Sequence, residues 1–223
     1  VAIGLQAVDG LKTSEYLHET ARRNIEGEIS IDEARDIVKQ YYITKTSHDE
    51  DNQDQEEADI VSSNISKLLQ TDAFTYSVAG ISAIHRAIFE GVFEHAGHFR
   101  EYDISKKEWV LRGDSVLYGR WQDIQMALEY DLEQERKFDY SSLNMGQIIE
   151  RLAKFISGLW QIHPFREGNT RTTAVFAIKY LRSQGFQVNN DLFEQHSWYF
   201  RNALVRANYR NLSKGIAYEP KFL

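Results

Sequence analysis

The chain has no cysteine among its 223 residues, which excludes a disulfide framework and a thiolate zinc site and removes any need for an oxidising compartment. Proline is almost as scarce: Pro164 and Pro220 are the only two, so helices can run unbroken over most of the sequence. No apolar run approaches the roughly 18 residues of a membrane helix, and the N-terminus lacks the basic-then-apolar layout of a secretory leader. The expectation is a cytoplasmic protein with no membrane role. A basic surplus is missing too. At a formal charge of -7 the chain does not coat nucleic-acid phosphates, and any nucleotide it handles sits in a local pocket. Residues 48–59 (HDEDNQDQEEAD) hold no aliphatic side chain larger than alanine, which predicts a solvated acidic linker over residues 46–59.

What is present is helical periodicity. Hydrophobic residues make up 42% of the chain, enough for one substantial core with a modest appendage. Before the acidic stretch, residues 12–44 predict two short helices separated at Gly27, the second opened by a Ser30/Glu33 capping box and carried by Ile31, Ala34, Val38 and Tyr41. After it, Ile60, Val61, Ile65, Leu68 and Leu69 repeat at helical spacing, as do Ile81, Ile84, Ile88 and Val92. Helical patterns return over residues 121–136, 148–159 and 175–181, with Gly185 at a C-terminal stop. Between Ile104 and Tyr118 the pattern changes: Trp109, Val110 and Leu111 lead into Arg112-Gly113-Asp114, then Val116, Leu117 and Tyr118, which predicts a small β-hairpin. The fold class is mainly α with that one hairpin.

Pro164 ends one well-patterned helix and another begins about six residues later, leaving His163-Pro164-Phe165-Arg166-Glu167-Gly168-Asn169-Thr170-Arg171 as the connection. Gly168 and Asn169 tolerate positive φ, so their NH groups can converge on an anion, and the following helix N-terminus adds orphan donors and a positive dipole end. Arg171 offers a planar fork to phosphate oxygens, and Glu167 a hard oxygen to a phosphate-bound Mg²⁺. His163, with an ordinary pKa near neutrality, can take a proton from an attacking hydroxyl. Singly, such a histidine is more often structural, a Glu near an Arg a surface pair, and Gly-Asn a mere turn; their joint occurrence in this order is what points to chemistry.

The nonapeptide HPFREGNTR resembles the signature of the Fic (Fido) family, H-x-F-x-[D/E]-G-N-x-R, and the resemblance extends over residues 60–212. It implies a Fic-type helical bundle that uses ATP and Mg²⁺ to adenylylate Ser, Thr or Tyr hydroxyls of a target protein. By position, His163 is the expected base, Glu167 the metal ligand, Gly168, Asn169 and Thr170 the phosphate nest, Arg171 the phosphate clamp and Phe165 a core anchor. The hairpin, through Glu108, Trp109, Val110 and Leu111, matches the flap that the family lays over its target, and strand addition there implies loose specificity. From the stripe Trp198 to Tyr209, Tyr199 and Asn202 are the expected base or ribose contacts. The implied organisation is an antitoxin-like helical segment (1–45), a linker (46–59) and the catalytic domain (60–223).

There are departures. The second arginine of the extended signature is replaced by Ala174, and the lysine of the kinase-like Doc branch by Thr170. UMP or phosphoryl transfer, or a nucleotide-binding regulator without turnover, are therefore the rival readings. In the N-terminal segment Glu26-Gly27 fits the end of the family's inhibitory motif [S/T]-x-x-x-E-[G/N], but Arg22 stands where Ser or Thr is expected; the alternative placement, at Val1-Ala2-Ile3-Gly4, puts Gly4 in the slot of the glutamate. Glu26 is thus the candidate regulator in cis, with weak self-inhibition expected because its arginine partner is missing. Glu94, His95, His98 and Glu101 form a weaker candidate metal cluster.

Overall fold

The computed structural model describes residues 1–45, 50–188 and 191–223. Eight α-helices carry the fold among them: α1 (Glu15–Ile25), α2 (Ile31–Thr44), α3 (Glu50–Leu69), α4 (Val78–Phe89), α5 (Ile124–Arg136), α6 (Met145–Ile162), α7 (Asn169–Ser183) and α8 (Asp191–Ala207). The mainly α class read from the sequence is the one observed. Local chemistry sets several helix ends as expected. Ser30 Oγ accepts from Glu33 N while Glu33 Oε2 accepts from Ser30 N at 2.7 Å, closing the capping box of α2. Gly27 (φ 79°) separates α1 from α2, and Gly185 (φ 84°) follows the end of α7.

Helix α7 is the axis of the molecule: every residue from Asn169 to Tyr180 is buried, which is how a helix reads when neighbours cover it on all sides. With its Phe176, the residues Val61, Ile65, Ile81, Ile84, Ile88, Leu128, Phe155, Leu159 and Phe165 around it form the main core, and Ala2, Leu5 and Val8 of the N-terminus are part of that same core. A smaller cluster of Leu17, Val38, Tyr42 and Ile60 packs α1 and α2 on α3.

Two expectations are corrected. The acidic stretch is no solvated linker from residue 50 onward, because residues 50–59 form the first half of α3; residues 46–49 lie outside the described residues. Helical continuation turns Ala58 and Asp59 fully inward, and the Asp59 carboxylate accepts from Ser14 N (2.8 Å), Ser14 Oγ and Tyr42 OH (2.7 Å). Those three bonds satisfy a buried charge that composition alone assigns to water.

The β-hairpin is the second correction: among the described residues there is no strand, only an isolated bridge between Asn211 and Ile216. The Glu108 carbonyl accepts from both Leu111 N (3.0 Å) and Gly113 N (2.9 Å), winding Trp109–Leu111 into a 3-10 turn that reverses through left-handed Arg112 and Gly113. One arm keeps the expected alternation, with Val116 and Tyr118 buried and Leu117 exposed. Facing it, Lys106 N bonds the Ser115 hydroxyl rather than a main-chain carbonyl, so no ladder forms.

Candidate active site

The loop between α6 and α7 is held from within by its own side chains. Asn169 Oδ1 accepts from Phe165 N at 2.9 Å and Asn169 Nδ2 donates to Phe165 O at 2.8 Å, a closed pair that fixes the turn. Phe165 is fully buried, the anchor expected, and its ring stacks on His85 at 3.7 Å. His85 in turn accepts from Gly97 N through Nδ1 (2.8 Å), which leaves Nε2–H to donate to Glu167 O at 3.1 Å. Gly168 adopts φ 70°, and no side chain caps the α7 N-terminus that follows, so its first NH groups keep the character of an anion site. Thr170 Oγ1 accepts from Trp160 Nε1 at 3.0 Å.

His163 closes α6 in the left-handed conformation (φ 52°, ψ 60°), its ring between Tyr118 (4.1 Å, stacked) and Trp160 (5.1 Å, edge-on). Nδ1 lies 3.1 Å from Trp160 O. A carbonyl only accepts, so the proton sits on Nδ1 and Nε2 carries the lone pair: this is the tautomer of a base. Burial, helped by the nearby cations Lys106, Arg100 and Arg201, pushes the His163 pKa well below the usual range.

Burial likewise lowers the His85 pKa to about 3. Both rings therefore stay neutral in the folded protein while an unfolded histidine protonates near pH 6.5. Below that pH the unfolded state binds more protons, so the stability they contribute is complete above it and declines as pH falls toward the depressed folded values. Urea unfolding at pH 7.5 and 5.5 should show a loss of about 1.4 kcal/mol for each ring. His163→Ala should remove its own share of the dependence, about 1.4 kcal/mol; an unchanged slope would mean the ring is charged in the folded state.

Arg171 differs most from its expected role as an open clamp. It is 2% exposed and held by the protein: Nη1 donates to Gln6 Oε1 (3.0 Å), Nη2 to Glu57 Oε1 (2.7 Å), Nε forms an ion pair with Asp9 Oδ2 at 2.8 Å without an aligned hydrogen bond, and the guanidinium lies over Phe89 at 4.7 Å. Gln6 and Asp9 belong to a 3-10 turn, Gly4–Asp9, seated on the loop. Burial raises the Glu57 carboxyl above the usual range, and Arg171 offsets only part of that rise. Ala174 is wholly inside the core.

The remaining sequence candidates divide. Glu167 is exposed on the loop. Glu108 is not a free flap edge: it is 2% exposed and paired with Arg201 at 2.8 Å. Trp109 is exposed and stacks in parallel on Trp198 at 5.7 Å, while Val110 and Leu111 pack on a cluster of Val116, Tyr118, Trp160, Leu204 and Val205. Asn202 Oδ1 and its neighbour Arg201 Nη1 are buried without a partner among the described residues. Tyr199 is exposed and borders an apolar groove of α6, α7 and α8 that no residue of 163–171 lines. Glu26 pairs with Arg22 at 2.6 Å on the surface, away from the carboxylates that reach Arg171. His95 stacks on Phe93, and among the described residues no group of three or more acidic or histidine side chains is placed to hold a metal. Sequence reading missed Gln6, Asp9, Glu57, His85, Arg100 and Tyr118. Glu57 left a trace as part of an acidic run, and Tyr118 as the end of the expected hairpin.

Residues 75–181 match the sequence profile of the Fic/DOC family. The Escherichia coli (strain K12) protein described as "Probable protein adenylyltransferase Fic" is 28% identical over 120 residues, 53% of this chain and 56% of that protein. Protein adenylyltransferase VbhT of Bartonella schoenbuchensis is 27% identical over 129 residues, 57% of this chain and 25% of that protein. The chain thus spans about half the length of the first relative and a quarter of the second. Among solved structures, BepC of Bartonella tribocorum with bound AMPPNP superposes with a TM-score of 0.57 at 21% identity, over 72% of this chain and 80% of that one. A Fic domain containing signaling protein of Bacteroides thetaiotaomicron covers 98% of this chain and 82% of its own at TM-score 0.51 and 14% identity, a likeness of fold that includes the N-terminal helices.

Proposed function

We propose that this chain, whose residues 75–181 match the Fic/DOC family profile, transfers AMP from ATP to a Ser, Thr or Tyr hydroxyl of a target protein. The names of the curated relatives and the AMPPNP in the BepC structure support the donor and the transfer. The observation that carries the reading is His163 held as an Nδ1–H tautomer at one end of the loop whose other end is the uncapped N-terminus of α7. The target hydroxyl attacks the α-phosphorus in line; His163 Nε2 takes its proton as the new O–P bond forms, and the bond to the β-phosphate breaks to release pyrophosphate. Backbone donors at Gly168 to Thr170 offset charge on the phosphates, so the protein contributes mainly position and fixed dipoles.

Glu167, an exposed hard-oxygen donor on this loop, fits Mg²⁺, which when bound to the phosphates supplies charge neutralisation there. Asn202 and Arg201 offer unpaired buried polar atoms to the nucleoside. The target segment docks beside Trp109 and Tyr118 on the 104–118 loop. ATP labelled in the α-phosphate is expected to label the target and ATP labelled in the γ-phosphate is not; the reverse pattern assigns phosphoryl transfer.

One observation favours a second reading, a nucleotide-binding regulator that turns over slowly: Arg171 is occupied by Asp9, Gln6 and Glu57, and Ala174 offers no replacement. If those groups compete with phosphate, Asp9→Asn, which keeps an oxygen for Arg171, raises ATP affinity and self-labelling about tenfold, or roughly 1.4 kcal/mol. Weaker ATP binding together with a lower unfolding midpoint would instead make the cluster a structural anchor.

A further inference from the structure

Arg100 is wholly inside the protein, yet no carboxylate accepts a hydrogen bond from it. Its side chain is 0% exposed and the nearest acid, Asp103, lies 3.6 Å away and is itself 62% exposed. The donors end on main-chain carbonyls: Nε on His163 O (2.8 Å), Nη1 on Tyr102 O (2.8 Å), and Nη2 on both Gly119 O and Ile162 O (3.2 Å). Its own backbone N–H donates to Pro164 O at 2.9 Å. Three successive carbonyls, those of Ile162, His163 and Pro164, therefore close on one residue.

The Ile162 carbonyl, and that of the C-cap His163, lie where the end of α6 leaves carbonyls without helical partners, at the negative end of its dipole, and Pro164 follows directly. A helix that ends in the left-handed region ordinarily does so on glycine, which bears no Cβ penalty. Here the position carries His163 at φ 52°, a conformation that persists only where the surroundings over-determine it. The surroundings at that backbone are Arg100 and the segment at Gly119, where an added Cβ would stand 3.2 Å from Ile162 O.

We propose that Arg100 is the positioning residue of His163: by gripping the carbonyls of Ile162 and His163 it fixes the left-handed turn that commits Nδ1–H to Trp160 O and leaves Nε2 as the acceptor. This rests on His163 being the base. Lysine carries the same charge, but its three protons share one nitrogen and cannot span the carbonyls of Tyr102, Gly119 and His163 as a planar fork does. Arg100→Lys thus separates geometry from charge.

The test is a double-mutant cycle on the full chain with Arg100→Lys, His163→Ala and the pair, reading single-turnover transfer from α-labelled ATP and, separately, the Kd for ATP. Arg100→Lys is expected to lower transfer about 10- to 100-fold, as misplacement of a catalytic group does, with Kd within about twofold. In the His163→Ala background the same change should have almost no effect, because the group it positions is gone. Equal effects in the two backgrounds, or parallel loss of transfer and ATP binding, would overturn the proposal and make Arg100 a fold residue. Wild-type transfer by His163→Ala alone would overturn the base assignment, and Arg100→Lys then reports only on the fold. Where the lysine variant does not fold, Arg100→Gln takes its place in the same cycle.

Discussion

His163→Ala is expected to lower transfer by about 10²- to 10⁴-fold, the range for loss of a general base, with ATP affinity close to wild type. The ring accepts no protein hydrogen bond that the fold depends on: its one bond is donated by Nδ1–H to a carbonyl at the end of α6. Removing it costs packing against Tyr118 and Trp160, so some stability is lost as well. The rate loss is separable from this by measuring kcat and Kd on protein whose unfolding midpoint is known. Unchanged transfer in the folded variant would take His163 out of the chemistry.

Gly168→Ala is expected to lose ATP binding altogether and about 3 kcal/mol of stability, the sum of a left-handed penalty and an overpacked core. At φ 70° a Cβ would stand 2.1 Å from Phe89 Cζ. That ring cannot retreat: it is fully buried, stacked on Phe93 at 4.8 Å, beside His85 at 4.7 Å and under the Arg171 guanidinium. Relief therefore comes only by displacing the loop and the α7 N-terminus with it. Adding Phe89→Leu, which removes the clashing atoms, should recover part of both losses. Urea unfolding and calorimetric titration with ATP measure them independently; full ATP affinity in Gly168→Ala would mean the nucleotide does not use this turn.

The parts of the molecule that sequence alone revealed are those written in short-range chemistry. The Ser30/Glu33 box, the breaks at Gly27 and Gly185 and the periodic faces of the helices each depend on residues a few positions apart. The loop at 163–171 was legible for the same reason. What stayed hidden depends on single residues meeting across long separations. Arg100 reaches the 162–164 carbonyls, His85 reaches Glu167, and Gln6 and Asp9 reach Arg171, and none of these leaves a periodic mark.

The two wrong elements fail for related reasons. Residues 50–59 are polar enough for a linker, but Asp59 finds three donors and Glu57 finds Arg171, so the stretch is drawn into α3. In the 104–118 loop alternation suggested strands, yet Glu108 is pulled inward by Arg201 and its carbonyl takes two turn bonds in place of a ladder. Buried charge pairs overrode local pattern in both places, and both border the candidate site.

Peptide mass spectrometry of a cell extract incubated with ATP and Mg²⁺ is the most direct measurement, run with the wild-type chain and with His163→Ala in parallel. The expected result is a hydroxyl side chain heavier by one AMP with the wild-type protein and at least about 100-fold less of that peptide with the variant. A peptide heavier by a phosphate alone, or the AMP adduct formed equally by both proteins, would contradict transfer of AMP by this loop.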